Sequence, residues 1–242
     1  MVVGLAALVA ANWVVQLVRK PSEAFFPLDR ALAKTPAQTW REYGALFREH
    51  STALMTPELL AALAQAEGAG NPVARTYWRW RVTWNPLEVY RPASSAVGMY
   101  QITDARFAEA RRYCIHDHAP MDDGPWYDPA SCWFNAFYFR VRPGDAIELT
   151  SAFLDRRVTQ ALARQGIANA TLQQKQDLAA VLHLCGAATA QAYARRGFRP
   201  GARQRCGEHD LAAYLGRLNA LKRQFARLAA SQGASRNHAS LK

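Results

Sequence analysis

A glutamate at the end of an apolar segment is the residue best suited to chemistry in this sequence. Residues 59–67 read LLAALAQAE, and on a helix Leu60, Leu63 and Glu67 share one face. Apolar surroundings and the negative end of a helix dipole both disfavour the ionised carboxylate. A carboxyl that stays protonated near neutral pH is what a general acid requires, so Glu67 is a candidate proton donor. The alternative is an ordinary solvent-exposed glutamate at a helix end.

The residues around Glu67 predict a helix with a defined start and end. Thr56 is a suitable N-cap and Pro57 a suitable first helical residue. Gly68 is a natural stop, and the Gly-Asn-Pro run over 70–72 prevents continuation of the helix. The carboxyl is therefore expected at the C-terminal end of a short apolar helix.

Helix signals recur along the rest of the chain, whereas strand signals are few. We therefore predict a mainly α-helical domain with little or no β structure, preceded by an N-terminal hydrophobic helix. Further helices are predicted over 36–49, from Thr103 or Asp104 to about Cys114, and over 131–140, 144–164, 171–185, 187–196 and 208–230. Gly186 and Gly197 are natural stops, a short hairpin is predicted around Asn85-Pro86, and residues 115–130 are predicted to form a polar loop.

Four cysteines at regular distances predict disulfides. Cys114 and Cys132 are 18 residues apart, Cys185 and Cys206 are 21 residues apart, and no CxxC pair occurs. This spacing favours sequential pairing, Cys114–Cys132 and Cys185–Cys206, over the two other connectivities. Disulfides require an oxidising compartment such as the periplasm, whereas four buried free thiols in a cytosolic protein are the alternative.

The charge balance predicts an acidic partner. The chain of 242 residues has 30 Lys and Arg against 19 Asp and Glu, a formal net charge of +11. Nucleic acid, an anionic membrane surface and a cell wall that carries carboxylates all fit this sign. The basic residues are spread from Arg41 to Arg227, and no helix-turn-helix, zinc or RNP-type signature occurs, so we expect no nucleic-acid partner.

The N-terminus resembles a membrane anchor or an uncleaved signal. Residues 2–18 are apolar apart from Asn12 and Gln16, and Arg19 and Lys20 come directly after them. This length is the lower limit for a spanning helix, and the basic pair favours a cytoplasmic position for the remainder of the chain, which conflicts with export. The predicted organisation is an anchor over 1–20, a leader with one amphipathic helix over 21–53, a catalytic domain over 54–230 and a flexible tail over 231–242.

The segments LLAALAQAEGAGNP, SSAVGMYQIT and AAVLHLCGAA occur in this order along the chain. Together they resemble the motifs of the SLT-type bacterial lytic transglycosylases. The first resembles a hydrophobic helix that ends in the catalytic glutamate, here Glu67, followed by Asn-Pro. The second resembles Gly-Leu-Met-Gln plus an apolar residue. The third keeps Gly186 but has His183 and Leu184 where Tyr and Asn are usual. The resemblance covers about residues 54–198.

The resemblance implies a lysozyme-like fold in which Glu67 is the single catalytic residue, with no metal and no cofactor. It also implies a set of substrate-binding residues: Asn71, Gly98, Met99, Tyr100, Gln101, Ile102 and His183. The sequence departs from the family at Gly68, where Ser is usual, and in a Trp- and Arg-rich insertion over 75–91. Glu88 and Asp104 are the candidates for a second acid.

The reaction that the resemblance implies breaks the bond between N-acetylmuramic acid and N-acetylglucosamine in peptidoglycan glycan strands. Glu67 protonates the glycosidic oxygen, and the resulting carboxylate takes the proton of the muramyl C6 hydroxyl as that oxygen closes on C1. The product is a 1,6-anhydromuramyl end, and one carboxyl suffices because the nucleophile is intramolecular.

Two other function classes remain open. A goose-type lysozyme would use water as the nucleophile, and a wall-binding scaffold would keep the fold without catalysis. We expect a periplasmic protein anchored to the inner membrane by its N-terminal segment, and we hypothesise that it opens the wall for a secretion or conjugation complex.

Overall fold

The chain folds mainly into α-helices, as predicted. A computed structural model describes residues 2–29, 31–128 and 130–239. Its helices are α1 (Val2–Arg19), α2 (Pro36–Glu49), α3 (Pro57–Gly68), α4 (Asp104–Ala110), α5 (Pro143–Arg164), α6 (Leu172–Arg195) and α7 (Leu211–Ala239). Three antiparallel hairpins connect them: β1 (Trp78–Trp80) with β2 (Tyr90–Pro92), β3 (Tyr113–His116) with β4 (Ala119–Asp122), and β5 (Arg205–Cys206) with β6 (His209–Asp210). Short 3₁₀ helices cover Pro21–Leu28, Pro86–Glu88 and Trp133–Phe137.

The predicted starts of α2 and α3 are confirmed by their caps. The Thr35 side chain accepts a hydrogen bond from the backbone N–H of Gln38 in a capping box, and Thr56 accepts one from Leu59. The Gly-rich end of α3 is also confirmed, although the residue that caps it in the left-handed conformation is Ala69, with φ of 48°.

Helix α3 is the centre of the hydrophobic core. Its residues 59–64 are all completely buried between α2 and α7. Trp40 of α2 packs against Phe225 of α7 with their ring centroids 5.8 Å apart, and Phe47 is also fully buried. The residues before and after the predicted boundary at 53/54 therefore share one core.

The predicted loop over 115–130 is wrong in its first part, because β3 and β4 pair there. Asp117 and His118 turn the chain with φ of 48° and 60°, the conformation that a two-residue hairpin loop requires. The helix predicted to run to about Cys114 ends at Ala110 instead. The buried side chain of Asn135 donates to the carbonyl of Tyr113 at 2.7 Å, which holds this segment outside the helix.

Other predicted boundaries need smaller corrections. The helix predicted over 131–140 is only a 3₁₀ segment, and the β5–β6 hairpin was not predicted. The helices predicted over 171–185 and 187–196 join in α6, with Gly186 as a non-helical residue at φ 79° between them. Helix α7 continues to residue 239, whereas residues 240–242 of the predicted tail lie outside the described ranges.

The N-terminal segment forms α1, which packs against the β1–β2 hairpin. The Asn12 side chain donates to the carbonyl of Tyr90 at 2.7 Å, and Gln16 donates to that of Leu87 at 2.8 Å. Over residues 2–29, 31–128 and 130–239, no helix combines the length and apolar character that crossing a bilayer requires.

Both predicted disulfides are confirmed in the sequential pairing. Cys114–Cys132 joins β3 to the start of a 3₁₀ helix, and Cys185–Cys206 joins α6 to β5, with Cα–Cα distances of 5.5 and 5.2 Å. The second bond fixes the hairpin that leads directly into α7. It therefore restrains the start of the helix that packs most extensively on α3.

We expect the Cys185→Ser, Cys206→Ser double variant to lose about 3 kcal/mol of unfolding free energy, because the bond closes a long loop in the unfolded chain. Urea unfolding followed by circular dichroism measures this loss. The Cys114→Ser, Cys132→Ser variant serves as a comparison and should lose a similar amount of unfolding free energy, since the loop that its disulfide closes is nearly as long. An unchanged unfolding midpoint in either variant would contradict the assignment of a stabilising disulfide.

Candidate active site

The carboxyl of Glu67 lies in the last turn of α3, where α7 crosses it. Its side chain is 15% exposed, so the carboxyl is largely buried but still accessible from one side. The Tyr214 hydroxyl on α7 donates a hydrogen bond to Glu67 Oε1 at 2.5 Å. The extensive packing of α3 on α7 thus brings together two groups that are 147 residues apart in sequence.

Burial determines the protonation of Glu67. Desolvation raises its pKa, and this effect exceeds the lowering effects of the Tyr214 hydrogen bond and of the charges of His209, Arg106 and Arg217. The protonated carboxyl is therefore favoured relative to an exposed glutamate. Once the proton is given away, the same hydroxyl and basic groups stabilise the anion. The site can thus supply a proton and accept one back.

A histidine and an arginine lie beside this carboxyl. His183 Nε2 is 4.0 Å from Glu67 Oε1, and the other ring nitrogen of His183 is 3.4 Å from Arg106 Nη1. Burial, followed by the charge of Arg106, lowers the pKa of His183 to about 3. The imidazole is consequently neutral near pH 7 and does not serve as a proton donor there. Arg106 supplies the positive charge on this side of Glu67.

The strip over 98–101 meets the end of α3 directly after Glu67. A Cβ atom placed on Gly68 would lie 2.8 Å from Met99 Cα and 3.1 Å from the Gly98 oxygen. Only a glycine permits this approach. The structure therefore places the residue directly after Glu67 against the backbone of Gly98 and Met99.

Most of the predicted substrate-binding side chains are buried. Met99 and Tyr100 are fully buried, Ile102 is 2% exposed, and the Tyr100 hydroxyl donates to the carbonyl of Leu60 at 3.1 Å. These three side chains belong to the core that holds the strip against α3. Sugar binding by this strip stays a prediction. Because these side chains are buried, the backbone of the strip would have to make the contacts with the sugar.

Gln101, Gly98 and Asn71 fix the backbone around the strip. The Gln101 amide donates to the carbonyls of Ala74 and Gly98 at 3.0 and 2.9 Å. Gly98 adopts φ of +83°, and an added Cβ would lie 2.5 Å from the Arg140 oxygen. Buried Asn71 donates to the Asp29 carbonyl at 2.9 Å and accepts from the Val73 N–H. Their predicted contact with substrate likewise stays a prediction.

The two candidates for a second acid point elsewhere. Glu88 pairs with Arg19 at 2.7 Å on the β1–β2 hairpin. Asp104 pairs with Arg140 at 2.7 Å at the start of α4. The charged groups that act on the pKa of Glu67 are basic instead.

Sequence reasoning missed Tyr214, Arg106, His209 and Arg217, which all influence Glu67. The spacing of Leu211, Tyr214, Leu215 and Leu218 predicts only a buried helix face. A buried tyrosine hydroxyl requires a partner, and this is the one signal that could have drawn attention to Tyr214. The identity of that partner depends on how α3 and α7 pack.

No metal centre is found in the described ranges, in which no three His, Cys, Asp or Glu side chains are grouped to hold an ion. Comparisons with models of protein families, with curated proteins and with solved structures find no match for this chain. The likeness to the SLT family therefore rests on the quoted motifs.

We expect Gly68→Ala to destabilise the protein, although the same change in an open helix stabilises by up to about 1 kcal/mol. The added methyl would collide with the Met99 backbone, and such overpacking costs about 1–3 kcal/mol. Urea unfolding tests this. Gly216→Ala in α7 is the control, because an added Cβ there meets nothing within 4 Å. Equal stabilisation by both substitutions would contradict the close approach of the strip.

We expect Tyr214→Phe to move the alkaline limb of the activity–pH profile to higher pH. The lost hydrogen bond stabilises the ionised carboxyl, so its removal raises the pKa of Glu67 further and keeps the acid form to higher pH. Turnover of purified peptidoglycan measured across pH gives this limb. Tyr138→Phe, which removes a tyrosine hydrogen bond to Glu148 instead, should leave the limb in place. A limb that moves to lower pH in Tyr214→Phe would refute the interpretation.

Proposed function

We propose that this protein is a peptidoglycan lytic transglycosylase that cleaves the bond between N-acetylmuramic acid and N-acetylglucosamine and forms 1,6-anhydromuramyl ends. The observation that carries the proposal is the carboxyl of Glu67. It is largely buried at the end of an apolar helix, and it accepts a hydrogen bond from the Tyr214 hydroxyl. The three motifs in their order support the same assignment.

In the proposed reaction Glu67 acts twice. The protonated carboxyl gives its proton to the glycosidic oxygen as the bond to the muramyl C1 breaks, and the 2-acetamido group of the sugar stabilises the developing positive charge. The carboxylate then removes the proton of the C6 hydroxyl, whose oxygen bonds to C1. Acid and base functions alternate on one group, and no water is consumed.

The surroundings of Glu67 suit both halves of this cycle. Burial favours the acid form before the first proton transfer, and the Tyr214 hydroxyl and Arg106 stabilise the carboxylate after it. Most glycosidases need two carboxyl groups, one of which activates water or attacks the sugar. The ion pairs of Glu88 and Asp104 with arginines favour the single-carboxyl reaction.

The wider chemistry of the chain supports a role in the cell wall. The net charge of +11 suits a polymer whose peptides carry carboxylates, and the two disulfides suit an oxidising compartment. We propose a periplasmic location, attachment to the inner membrane through the N-terminal segment, and local opening of the wall for a secretion or conjugation complex.

Two alternatives differ from the proposal in their products. A goose-type lysozyme would release reducing muramyl ends, because water takes the place of the C6 hydroxyl. A wall-binding scaffold would release nothing, although it would sediment with sacculi. The elevated pKa of Glu67 favours an enzyme, because binding alone gains nothing from a carboxyl whose pKa is raised.

Glu67→Gln should lower the release of anhydromuropeptides from purified sacculi by about 10²–10⁴-fold, the usual contribution of general acid–base catalysis. Glutamine keeps the size of the side chain and still accepts the Tyr214 hydrogen bond, but it cannot donate the proton. Mass spectrometry of the soluble products measures both the rate and the type of chain end.

Glu88→Gln and Asp104→Asn serve as matched controls and should retain wild-type activity. Full lytic activity in Glu67→Gln would reject the assignment of the acid. Reducing ends in place of anhydro ends from the wild type would favour the lysozyme alternative. Sedimentation with sacculi without any released product would favour the scaffold.

A further inference from the structure

Helix α1 carries its polar side chains inward and its apolar side chains outward. Asn12 and Gln16 are only 7% and 4% exposed, because both side chains bond to carbonyls of the β1–β2 hairpin and the 3₁₀ turn within it. The outward face is apolar, with Val3 83%, Val9 60%, Trp13 46%, Val14 54% and Val18 76% exposed. A helix on the surface of a water-soluble domain has the opposite arrangement. The outer face of α1 is therefore built for apolar surroundings.

The tip of the β1–β2 hairpin, which holds the inward face of α1, also exposes apolar side chains. Trp80 is 74% exposed, and Val82 and Trp84 are fully exposed. The Trp80 ring packs on Tyr90 with 4.7 Å between centroids, and the Tyr90 carbonyl accepts the hydrogen bond from Asn12. The outer face of α1 and the hairpin tip are thus parts of one body. We call them together the helix–hairpin surface.

Arginines accompany this surface. Arg79 and Arg81 lie on the exposed part of the hairpin beside Trp80 and Val82. Arg19 at the end of α1 and Arg91 in β2 both pair with Glu88, which ties the basic end of the helix to the hairpin. The surface therefore joins exposed tryptophans and aliphatic side chains to an excess of positive charge.

This combination matches the boundary of a lipid bilayer. Tryptophan is enriched at the level of the headgroups, arginine extends its charge to the phosphates, and valine enters the acyl region. Anionic lipids attract such a basic surface, with a strength that falls as salt screens the charges. Val82 and Trp84 project fully exposed from a two-stranded hairpin, a shape that suits insertion into headgroups.

We propose that the helix–hairpin surface docks on the anionic phospholipid surface of a membrane, with α1 lying along the bilayer and the hairpin tip inserted beside it. The hydrogen bonds of Asn12 and Gln16 hold α1 against the hairpin, so both enter the interface together. The hairpin thereby becomes a membrane-binding element. This inference rests on the proposed membrane attachment of the N-terminal segment, and it does not depend on the reaction proposed for Glu67.

The test uses the full chain with two kinds of vesicles, phosphatidylglycerol mixed with phosphatidylethanolamine and phosphatidylcholine alone. We expect sedimentation with the anionic vesicles, weakening at high salt, and much less with the neutral ones. Trp80→Ala with Trp84→Ala should weaken the binding roughly tenfold for each tryptophan withdrawn from the interface. Trp126→Ala is the matched control, because Trp126 is 79% exposed on a turn that is not part of the helix–hairpin surface, and its removal should not affect binding.

Quenching of tryptophan fluorescence by lipids brominated on their acyl chains gives a second readout. The wild type should be quenched, and the Trp80→Ala, Trp84→Ala variant should lose the share of that quenching that comes from the hairpin tip while keeping its far-ultraviolet circular dichroism; Trp13 of α1 accounts for quenching that remains. Equal binding by this variant and the wild type would overturn the proposal. So would absence of binding to anionic vesicles, or self-association in solution that depends on the two tryptophans, since the surface would then serve a second copy.

Discussion

The carboxyl of Glu67 is held where water is scarce, and the rest of the candidate site depends on that constraint. An apolar helix can end in a glutamate at modest cost only if the acid stays protonated or its anion has partners. Here both conditions are met, because burial favours the acid form and Tyr214 with Arg106 stabilises the anion. The balance between these two effects is what would allow one group to act as acid and then as base.

The fold maintains this balance through the packing of three elements. Completely buried residues over 59–64 fix α3, and α7 crosses it to present Tyr214. The Cys185–Cys206 disulfide restrains the hairpin that precedes α7, where His209 lies. On the other side, Gly68 lets the Gly98–Gln101 strip approach the end of α3. The carboxyl is consequently enclosed by elements that come from separate parts of the chain.

The features that obey local rules could be predicted from the sequence. The caps Thr35 and Thr56, the apolar stripe that ends at Glu67 and the two cysteine pairs are determined by neighbouring residues or by spacing. The partner of Tyr214 could not be predicted, because it depends on how two distant helices cross. The inward orientation of the Asn12 side chain could not be predicted either, since its partner is a carbonyl 78 residues further along the chain. The β3–β4 hairpin was missed because its turn has Asp-His where Asn-Gly is the usual signal.

Burial raises the pKa of Glu67 above that of an ordinary glutamate, and the proposed reaction depends on this shift. The most direct measurement is a carbon-13 NMR titration of the Glu67 side-chain carboxyl in the intact protein, assigned by its disappearance in Glu67→Gln. We predict a midpoint clearly above the ordinary glutamate value of 4.5, because desolvation exceeds the opposing hydrogen bond and charges. A midpoint at or below that value would contradict the account, since the carboxyl would then be an ordinary anion near neutral pH.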